Sequence, residues 1–511
     1  MAAFILSSSS LLFFSSLLCF LIFASFLFKL INAKRITKSP SKPKINLPPS
    51  PPKLPIIGNL HQLGPLPHVT LRTLSKKYGP ILYLELGHSP TVVVSSPELA
   101  SEVMKTHDVA FANRPKLTAP KILLYGCTDV GFGSYGELWR EKKKICGNEL
   151  LNQKRVQSFR DIRDEEVGAL LRKIRDLSSG GGAGGCVNLS ELLIGTTNDI
   201  VSRCVLGDKF NTKADGRLVG LVRKVMVNLA AFSVGDYFPS FGWVDSVSGL
   251  IPRVKAIFKE LDEFFDKVIE EHRVKKGKSF VGILLQLQEN GMLHKEITEQ
   301  DFKPMLMDMF VGGTDTTSTV MQWGMAQLVR NPTKLKKAQE EVRRVVESKS
   351  KSKVDESDIS EMKYLRYVVK EIVRLHPPAP LGAPRIANTS VEINGYTIPA
   401  HTTVYINSWA IQRDSKFWEN GEEFIPERFE KNDLEFRSQN FNYIPFGSGR
   451  RGCPGMIFGL ASLECMLANL LYSFDWKLPD SVKDVDMSES FGLTISKKVP
   501  LYLHATPYSP N

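Results

Sequence analysis

The ten residues Phe446-Gly447-Ser448-Gly449-Arg450-Arg451-Gly452-Cys453-Pro454-Gly455 set one cysteine in a glycine-rich turn that leads into an apolar stretch, Met456 to about Tyr472. A thiolate at Cys453 is favoured there, because a helix N-terminus and nearby backbone N–H groups both stabilise negative charge. Pro454 suits the first helical position, where a missing N–H costs nothing. Gly449 and Gly455, lacking a Cβ, let the backbone approach something flat and bulky. Arg451, two residues before the sulfur, can reach an anionic group at the edge of that object. Haem bound through a cysteine thiolate fits these demands. The competing reading is a buried structural cysteine, the usual fate of a lone one. Five positions of Phe-x-x-Gly-x-Arg-x-Cys-x-Gly are matched, which by chance happens of order once in a thousand chains of this size, and that favours the ligand.

A second unusual run is Gly312-Gly313-Thr314-Asp315-Thr316-Thr317, in the middle of a long helical segment, Thr298 to Arg330. Glycine and threonine are poor helix formers, so helix propensity is sacrificed at one spot. Small residues make room for a flat cofactor and a diatomic ligand, and a threonine hydroxyl beside a carboxylate can relay protons. Alone, the run could equally be a bent core helix whose threonines bond back to the i−4 carbonyls. Glu371 and Arg374 share one face of a helical run, Leu365 to Leu375, by their i, i+3 spacing. Alone they could be a surface ion pair worth a few tenths of a kcal/mol.

Taken together, the cysteine loop and the Gly-Gly-Thr-Asp-Thr-Thr run resemble the cytochrome P-450 monooxygenases, and within them the plant A-type microsomal clan. The resemblance runs from about Pro48 to the C-terminus. It implies that Cys453 is the axial ligand of haem b (iron protoporphyrin IX), with Phe446 packed near the sulfur and Arg451 on a propionate. It implies that Asp315 and Thr316 deliver protons during oxygen activation. Glu371, Arg374 and Arg428 would form a buried structural triad beneath the haem, Arg428 lying in a loop region. Trp139 and Lys143 would touch the propionates, although the family pattern Trp-x-x-x-Arg carries Lys143 here, a point charge without bidentate geometry. Arg385 resembles another propionate contact. Arg140, Lys142 and Lys144 could share a basic face for a redox partner. His376 reads as a satisfied structural histidine.

These groups need a scaffold, and the resemblance implies a mainly α fold with small β-sheets, the cytochrome P-450 fold, behind an N-terminal transmembrane helix. Pro80 to Ser95 alternates like two strands. Ser158 to Leu177 and Pro252 to Val274 read helical, and Asn331-Pro332 stops the long helix, which would span about 48 Å. Ser178 to Gly185 is a glycine-rich linker, not a nucleotide loop, since no Gly-Lys-Ser/Thr follows. Leu117 to Val130, the middle of the long helix, Ala379 to Ala383 and Phe491 to Ile495 are candidate pocket walls.

Composition bounds the rest. The 511 residues are 42% hydrophobic and 23% charged, an ordinary globular balance with net charge +12. Ten basic residues precede the first acidic one, Glu85, so most of the excess sits near the N-terminus. Nucleic-acid binding would want that charge on a folded face with a recognisable module, and none is present. Ala2 to Phe28 carries no charge, about the length that a spanning helix needs. Lys29, Lys34, Arg35 and Lys38 follow it, which holds the downstream chain on the cytosolic side. The expected organisation is a signal-anchor at 1–31, a basic, proline-rich hinge at 32–55, and a haem-thiolate catalytic domain at 56–511. Seven scattered cysteines without a C-x-x-C pair give neither a zinc site nor a disulfide framework.

The implied reaction takes one oxygen atom from O2 into a lipophilic substrate (terpenoid, alkaloid, phenolic or aldoxime). Electrons would come from NADPH through NADPH–cytochrome P-450 reductase, at the lipid surface of the endoplasmic reticulum. The alternatives are a reductase-independent isomerase or dehydratase, and a non-enzymatic haem sensor.

Overall fold

The computed structural model describes residues 45–509 apart from 180–184, 209–215, 275–276, 352, 433 and 438–439, together with Ser16, Phe20 and Ser25. The chain divides into two units, 1–46 and 47–511. In the first, Ser16, Phe20 and Ser25 are helical and exposed. The remainder of the expected anchor at 1–31, the basic residues that follow it and the centre of the glycine-rich linker lie outside the described residues.

The strands of the second unit are short: β1 (Ile81–Leu86), β2 (Ser89–Val94), β3 (Cys186–Asn188), β4 (Arg385–Ile386), β5 (Val391–Ile393), β6 (Tyr396–Ile398), β7 (Thr403–Ile406), β8 (Phe474–Lys477), β9 (Glu489–Ser490), β10 (Ser496–Lys497) and β11 (Tyr502–Pro507). β1 and β2 form the antiparallel hairpin that the alternation predicts. β2 then runs parallel to β7, which pairs with β4 in the sheet order β1-β2-β7-β4. Val92, Val93 and Val94 are all buried, as expected for a strand covered on both faces. The pairing of β2 with β7 brings β4, and with it Arg385, back to the N-terminal part of the fold. β9 and β10 pair antiparallel and hold residues 491–495 between them.

The helices that position the site are α1 (Glu137–Ile145), α2 (Arg160–Ser179), α3 (Leu189–Leu206), α4 (Leu250–Val274), α5 (Glu299–Arg330), α6 (Pro332–Glu347), α7 (Lys363–Leu375) and α8 (Met456–Ser473). α2 starts later than the pattern predicts, because Asn152 caps a separate short helix, Gln153–Ser158, just before it. α5 begins after Thr298, which exchanges side-chain and backbone hydrogen bonds with Asp301 in a capping box. Pro332 stands at the first position of α6, where proline is tolerated.

α5 crosses the unit and packs on α3, α7 and α8. α8 is long and apolar enough to span a membrane, but 72% of that window is buried within the protein. It is a core helix. At the α5–α3 crossing a Cβ on Gly313 would sit 2.9 Å from Val201 Cγ2. Gly313→Val is therefore expected to destabilise by about 1–3 kcal/mol through overpacking, measurable as a lowered urea midpoint with an unchanged slope.

Candidate active site

The cysteine turn closes on itself: Cys453 N–H donates to the Phe446 carbonyl at 2.9 Å. The helix begins at Met456 with Gly455 as N-cap, so Pro454 lies ahead of the helix and not at its first position. The backbone N–H groups of Gly455 and Met456 lie close enough to the sulfur to stabilise negative charge on it. Burial pushes the Cys453 thiol above its ordinary value and outweighs those two N–H groups, Lys143 and Arg437, which pull it the other way, so the turn alone does not favour the thiolate as the sequence suggests. Protein surrounds Cys453 at longer range, yet its side chain is accessible. The sulfur therefore fronts an enclosed space rather than the outer surface. A Cβ on Gly455 would meet nothing nearer than that sulfur, at 4.0 Å. Gly449 differs from the expectation. Its φ is +70°, and a Cβ there would lie 2.2 Å from the Met104 carbonyl oxygen, so what it approaches is backbone, not a flat cofactor.

The distal side comes from α5. Gly459 in the first turn of α8 packs near Thr317, which sets the middle of α5 beside the cysteine loop. A Cβ on Gly312 would meet nothing within 4 Å, and Gly312 is accessible, whereas Gly313 closes on α3. Only the first of the two glycines opens space, contrary to the joint role expected. Thr316, one turn after Gly312, donates its hydroxyl to the Gly312 carbonyl at 2.5 Å. The Asp315 carboxyl accepts a hydrogen bond from Thr494 Oγ1. Burial raises the Asp315 pKa and that bond lowers it.

A third group gathers buried positive charge. Arg451 donates to the carbonyls of Ala112 (2.6 Å), Val130 (3.1 Å) and Gly133 (2.5 Å), and its guanidinium lies 4.0 Å from the Trp139 ring centroid. Trp139 in turn donates Nε1–H to the Val130 carbonyl at 2.9 Å. Arg385 on β4 pairs with Asp108 at 3.3 Å and reaches the Ser448 carbonyl at 3.2 Å. Lys143 Nζ donates to the Gly452 carbonyl at 2.6 Å and so ties α1 to the cysteine turn. Arg114, which the sequence reading did not single out, is buried and donates to Gly131, Ala383 and Pro384 carbonyls. Burial lowers the Arg114 pKa, and Arg385 and Arg451 lower it further; Arg451 is pushed down to about 10 by burial and Arg385. Guanidiniums that repel one another away from water fit an anionic group carrying two carboxylates. With a sulfur donor facing an enclosed space, the residues present fit haem. Lys142 is not on a basic face: it is buried, bonded to the Thr128 carbonyl at 2.7 Å and to Asp301 at 2.6 Å. Arg140 and Lys144 are exposed.

Beside Arg451 two carboxyls, buried Asp129 and half-buried Asp308 of α5, converge on Gly131, where a Cβ would lie 3.2 Å and 3.0 Å from their oxygens. Asp308 also accepts from Val130 N–H at 2.6 Å, and Asp129 from Phe132 N–H at 2.7 Å. Burial raises both pKa values, most strongly that of Asp308, where the Asp129 charge adds to it. A carboxyl whose folded pKa is raised loses stability as pH climbs from the ordinary carboxylate range to the raised value. Asp308→Asn, which keeps an acceptor for Val130, is expected to flatten that fall, read as a smaller drop in melting temperature between acidic and neutral pH.

On α7, Arg374 binds Glu371 through Nε (2.6 Å) and Nη2 (2.8 Å), and Arg428 Nε reaches Glu371 at 3.0 Å. Arg428 stands at the start of a single helical turn, Arg428–Lys431, rather than in a loop. Arg374 also donates to the carbonyls of Gln412, Gly421 and Glu423, lacing α7 to the segment that leads to the cysteine turn. His376 stacks on Trp323 at 4.5 Å and bonds Gln327 at 2.8 Å, while burial lowers its pKa well below the usual value. Asp164, Glu356 and Cys465 also cluster, but Arg160 and Arg163 neutralise the carboxylates, so the group is an ion-pair network. A groove of about 610 Å³ lined by Asp266, Glu270, Arg273, Glu299 and Lys303 is charged and takes no residue from the cysteine turn.

Comparison with known proteins agrees with this geometry. The family model described as Cytochrome P450 matches residues 48–503. A phenylacetaldehyde oxime monooxygenase of Prunus mume is 50% identical over 467 residues, 89% of this chain and 88% of that protein. Desmethylyatein synthase of Sinopodophyllum hexandrum is 45% identical over 456 residues, 88% of this chain and 91% of that protein. In structure, a zebrafish cytochrome P450 solved with progesterone superposes with a TM-score of 0.76 at 24% identity, covering 86% of this chain and 99% of that one. The chain belongs to the cytochrome P450 family and is a haem-thiolate monooxygenase.

Proposed function

We propose that this chain inserts one oxygen atom from O2 into a lipophilic plant specialised metabolite, with two electrons from NADPH passed through NADPH–cytochrome P450 reductase. The balance is R–H + O2 + NADPH + H⁺ → R–OH + H2O + NADP⁺. The observation that carries the reading is Cys453, an enclosed yet accessible sulfur backed by two N–H donors and set beside the opened face of α5.

Bound haem supplies oxygen reduction and O–O cleavage, which a thiolate ligand favours by pushing electron density to iron. Cys453 would hold it through the sulfur, with the Gly455 and Met456 N–H groups beside that sulfur. Arg451, Arg385 and Arg114, with Trp139 and Lys143, would hold and orient its anionic edge. Phe446 closes the turn beneath. Thr316 moves a proton by turning its hydroxyl from the Gly312 carbonyl into the open space, and Asp315 replaces that proton. Ile122 and Leu493, part-buried in the expected walls, exclude water and favour an apolar ligand. Thr316→Ala is expected to keep haem and lower product formation about a hundred-fold or more, while NADPH consumption continues into peroxide. Coupled turnover in that variant would remove Thr316 from the relay.

The oxime monooxygenase relative makes arylacetaldehyde oximes the first substrates to test, ahead of terpenoids, alkaloids and phenolics. Purified protein with reductase should give an oxidised product and match NADPH consumption to it. Product without NADPH would favour the isomerase or dehydratase reading, and no substrate-dependent NADPH use at all would favour a haem sensor.

The catalytic domain at 56–511 is placed on the cytosolic side of the endoplasmic reticulum by a single span at 1–31 and the hinge at 32–55. The charge-free run to Phe28 and the lysines after it support this reading. Asn188 and Asn388, both in sequons, are then expected to carry no glycan; Asn188 already caps α3 through its side chain. Glycosylation of either asparagine, detected by a mass shift on deglycosylation, would reverse the orientation.

A further inference from the structure

Resting on the monooxygenase reading, we propose that Thr494 is a positioning residue: its hydroxyl sets the reach of the Asp315 carboxyl, and so couples the pocket wall to proton delivery. Thr494 Oγ1 donates to Asp315 Oδ2, and Thr494 is itself buried. The contact joins positions 179 residues apart. It is pre-arranged from both sides. Ile495, the next residue, accepts Trp323 Nε1–H at 2.9 Å, and Trp323 belongs to the same helix as Asp315. Ile495 N–H donates to the Pro378 carbonyl at 2.9 Å, just before the wall at Ala379 to Ala383.

The β9–β10 tip is thus held against α5 at its C-terminal side, whereas Phe491 at the other side is half exposed and free to meet a ligand. Thr316 meanwhile donates to Gly312. In this arrangement the acid is occupied by Thr494 and the alcohol by its own helix. A ligand that shifts the tip changes the bond that Asp315 makes, and with it the supply of the proton that Thr316 passes on. When that supply fails, O2 + NADPH + H⁺ → H2O2 + NADP⁺ replaces product formation. Thr494 needs a hydroxyl for this, not a particular bulk, so serine suffices and valine does not.

The test is a double-mutant cycle on the holoenzyme, comparing Thr494→Val, Thr494→Ser, Asp315→Asn and the Thr494→Val/Asp315→Asn pair. Two readouts are taken: the share of NADPH electrons recovered as peroxide with phenylacetaldehyde oxime as probe, and the C–O stretching band of the reduced carbon-monoxide complex without substrate. Thr494→Val is expected to raise the peroxide share several-fold and to shift or split the band, with haem content unchanged. Thr494→Ser is expected to restore both, and in the Asp315→Asn background the valine substitution is expected to change neither. An equal increment in that background would mean that Thr494 acts by packing alone, and no change in Thr494→Val would mean that it does not act; either overturns the proposal. The band needs neither NADPH nor substrate, so it decides the role of Thr494 even if the monooxygenase reading fails.

Discussion

Cys453→Ala removes the red-shifted Soret band that thiolate-ligated ferrous haem shows with carbon monoxide, and monooxygenation is lost with it. The reason lies in how little else near the turn can replace the sulfur. The groups around it are backbone N–H donors and cations, Lys143 and Arg437, which stabilise an anion and cannot themselves ligate iron while protonated. Without the thiolate, haem is held by its anionic edge and by packing, so occupancy falls while the fold survives. Cys453→Ser is the sharper control, since it keeps volume and a donor atom but not a soft anionic ligand. A variant that kept the band would mean that another residue ligates the iron. Cys465 does not meet that need: it is buried among Asp164, Arg160 and Arg163, and burial and the carboxylates push its thiol up to about 12.

Arg374→Leu is expected to cost more than any surface change, because five hydrogen bonds end on this one buried guanidinium. The substitution leaves Glu371 with Arg428 as its remaining cationic partner and the Ile425 N–H as its backbone donor, and strands three backbone carbonyls. Breaking a buried pair by removing one partner costs about 3–5 kcal/mol. Domains are stable by only about 5–15 kcal/mol in total, so most of the protein should fail to accumulate folded with haem. Arg374→Lys rescues little, since an ammonium cannot span Glu371 and three carbonyls at once. The check is the haem-to-protein ratio together with urea unfolding. A lysine variant of near wild-type stability would show that the guanidinium geometry is dispensable.

What the sequence disclosed and what it hid divide along chain distance. The cysteine turn is local, with its sulfur, glycines and following helix inside thirty residues, so motif and propensity exposed it. The long helix α5 was equally legible, from its cap at Thr298 to the Asn331-Pro332 stop. Helical geometry also put Glu371 and Arg374 on one face. Gly449 was misread because the atom it makes room for, the Met104 carbonyl, comes from a segment more than three hundred residues earlier. Arg114, the Asp129–Asp308 pair and the Thr494–Asp315 bond are long-range for the same reason, and no spacing rule reaches them. Lys142 was avoidable. Trp139, Lys142 and Cys146 recur at three- and four-residue intervals, which places that lysine on the inward stripe of α1 despite the basic run around it. The offset of Pro454 is smaller: the turn needs Gly455 as the N-cap, which moves the helix start by two residues.

X-ray absorption at the iron edge of the purified resting protein tests the central assignment most directly. A single sulfur scatterer in the inner shell beside the four porphyrin nitrogens, lost in Cys453→Ser, is the predicted result. An inner shell of nitrogen and oxygen alone, or a sulfur that persists in that variant, would contradict it.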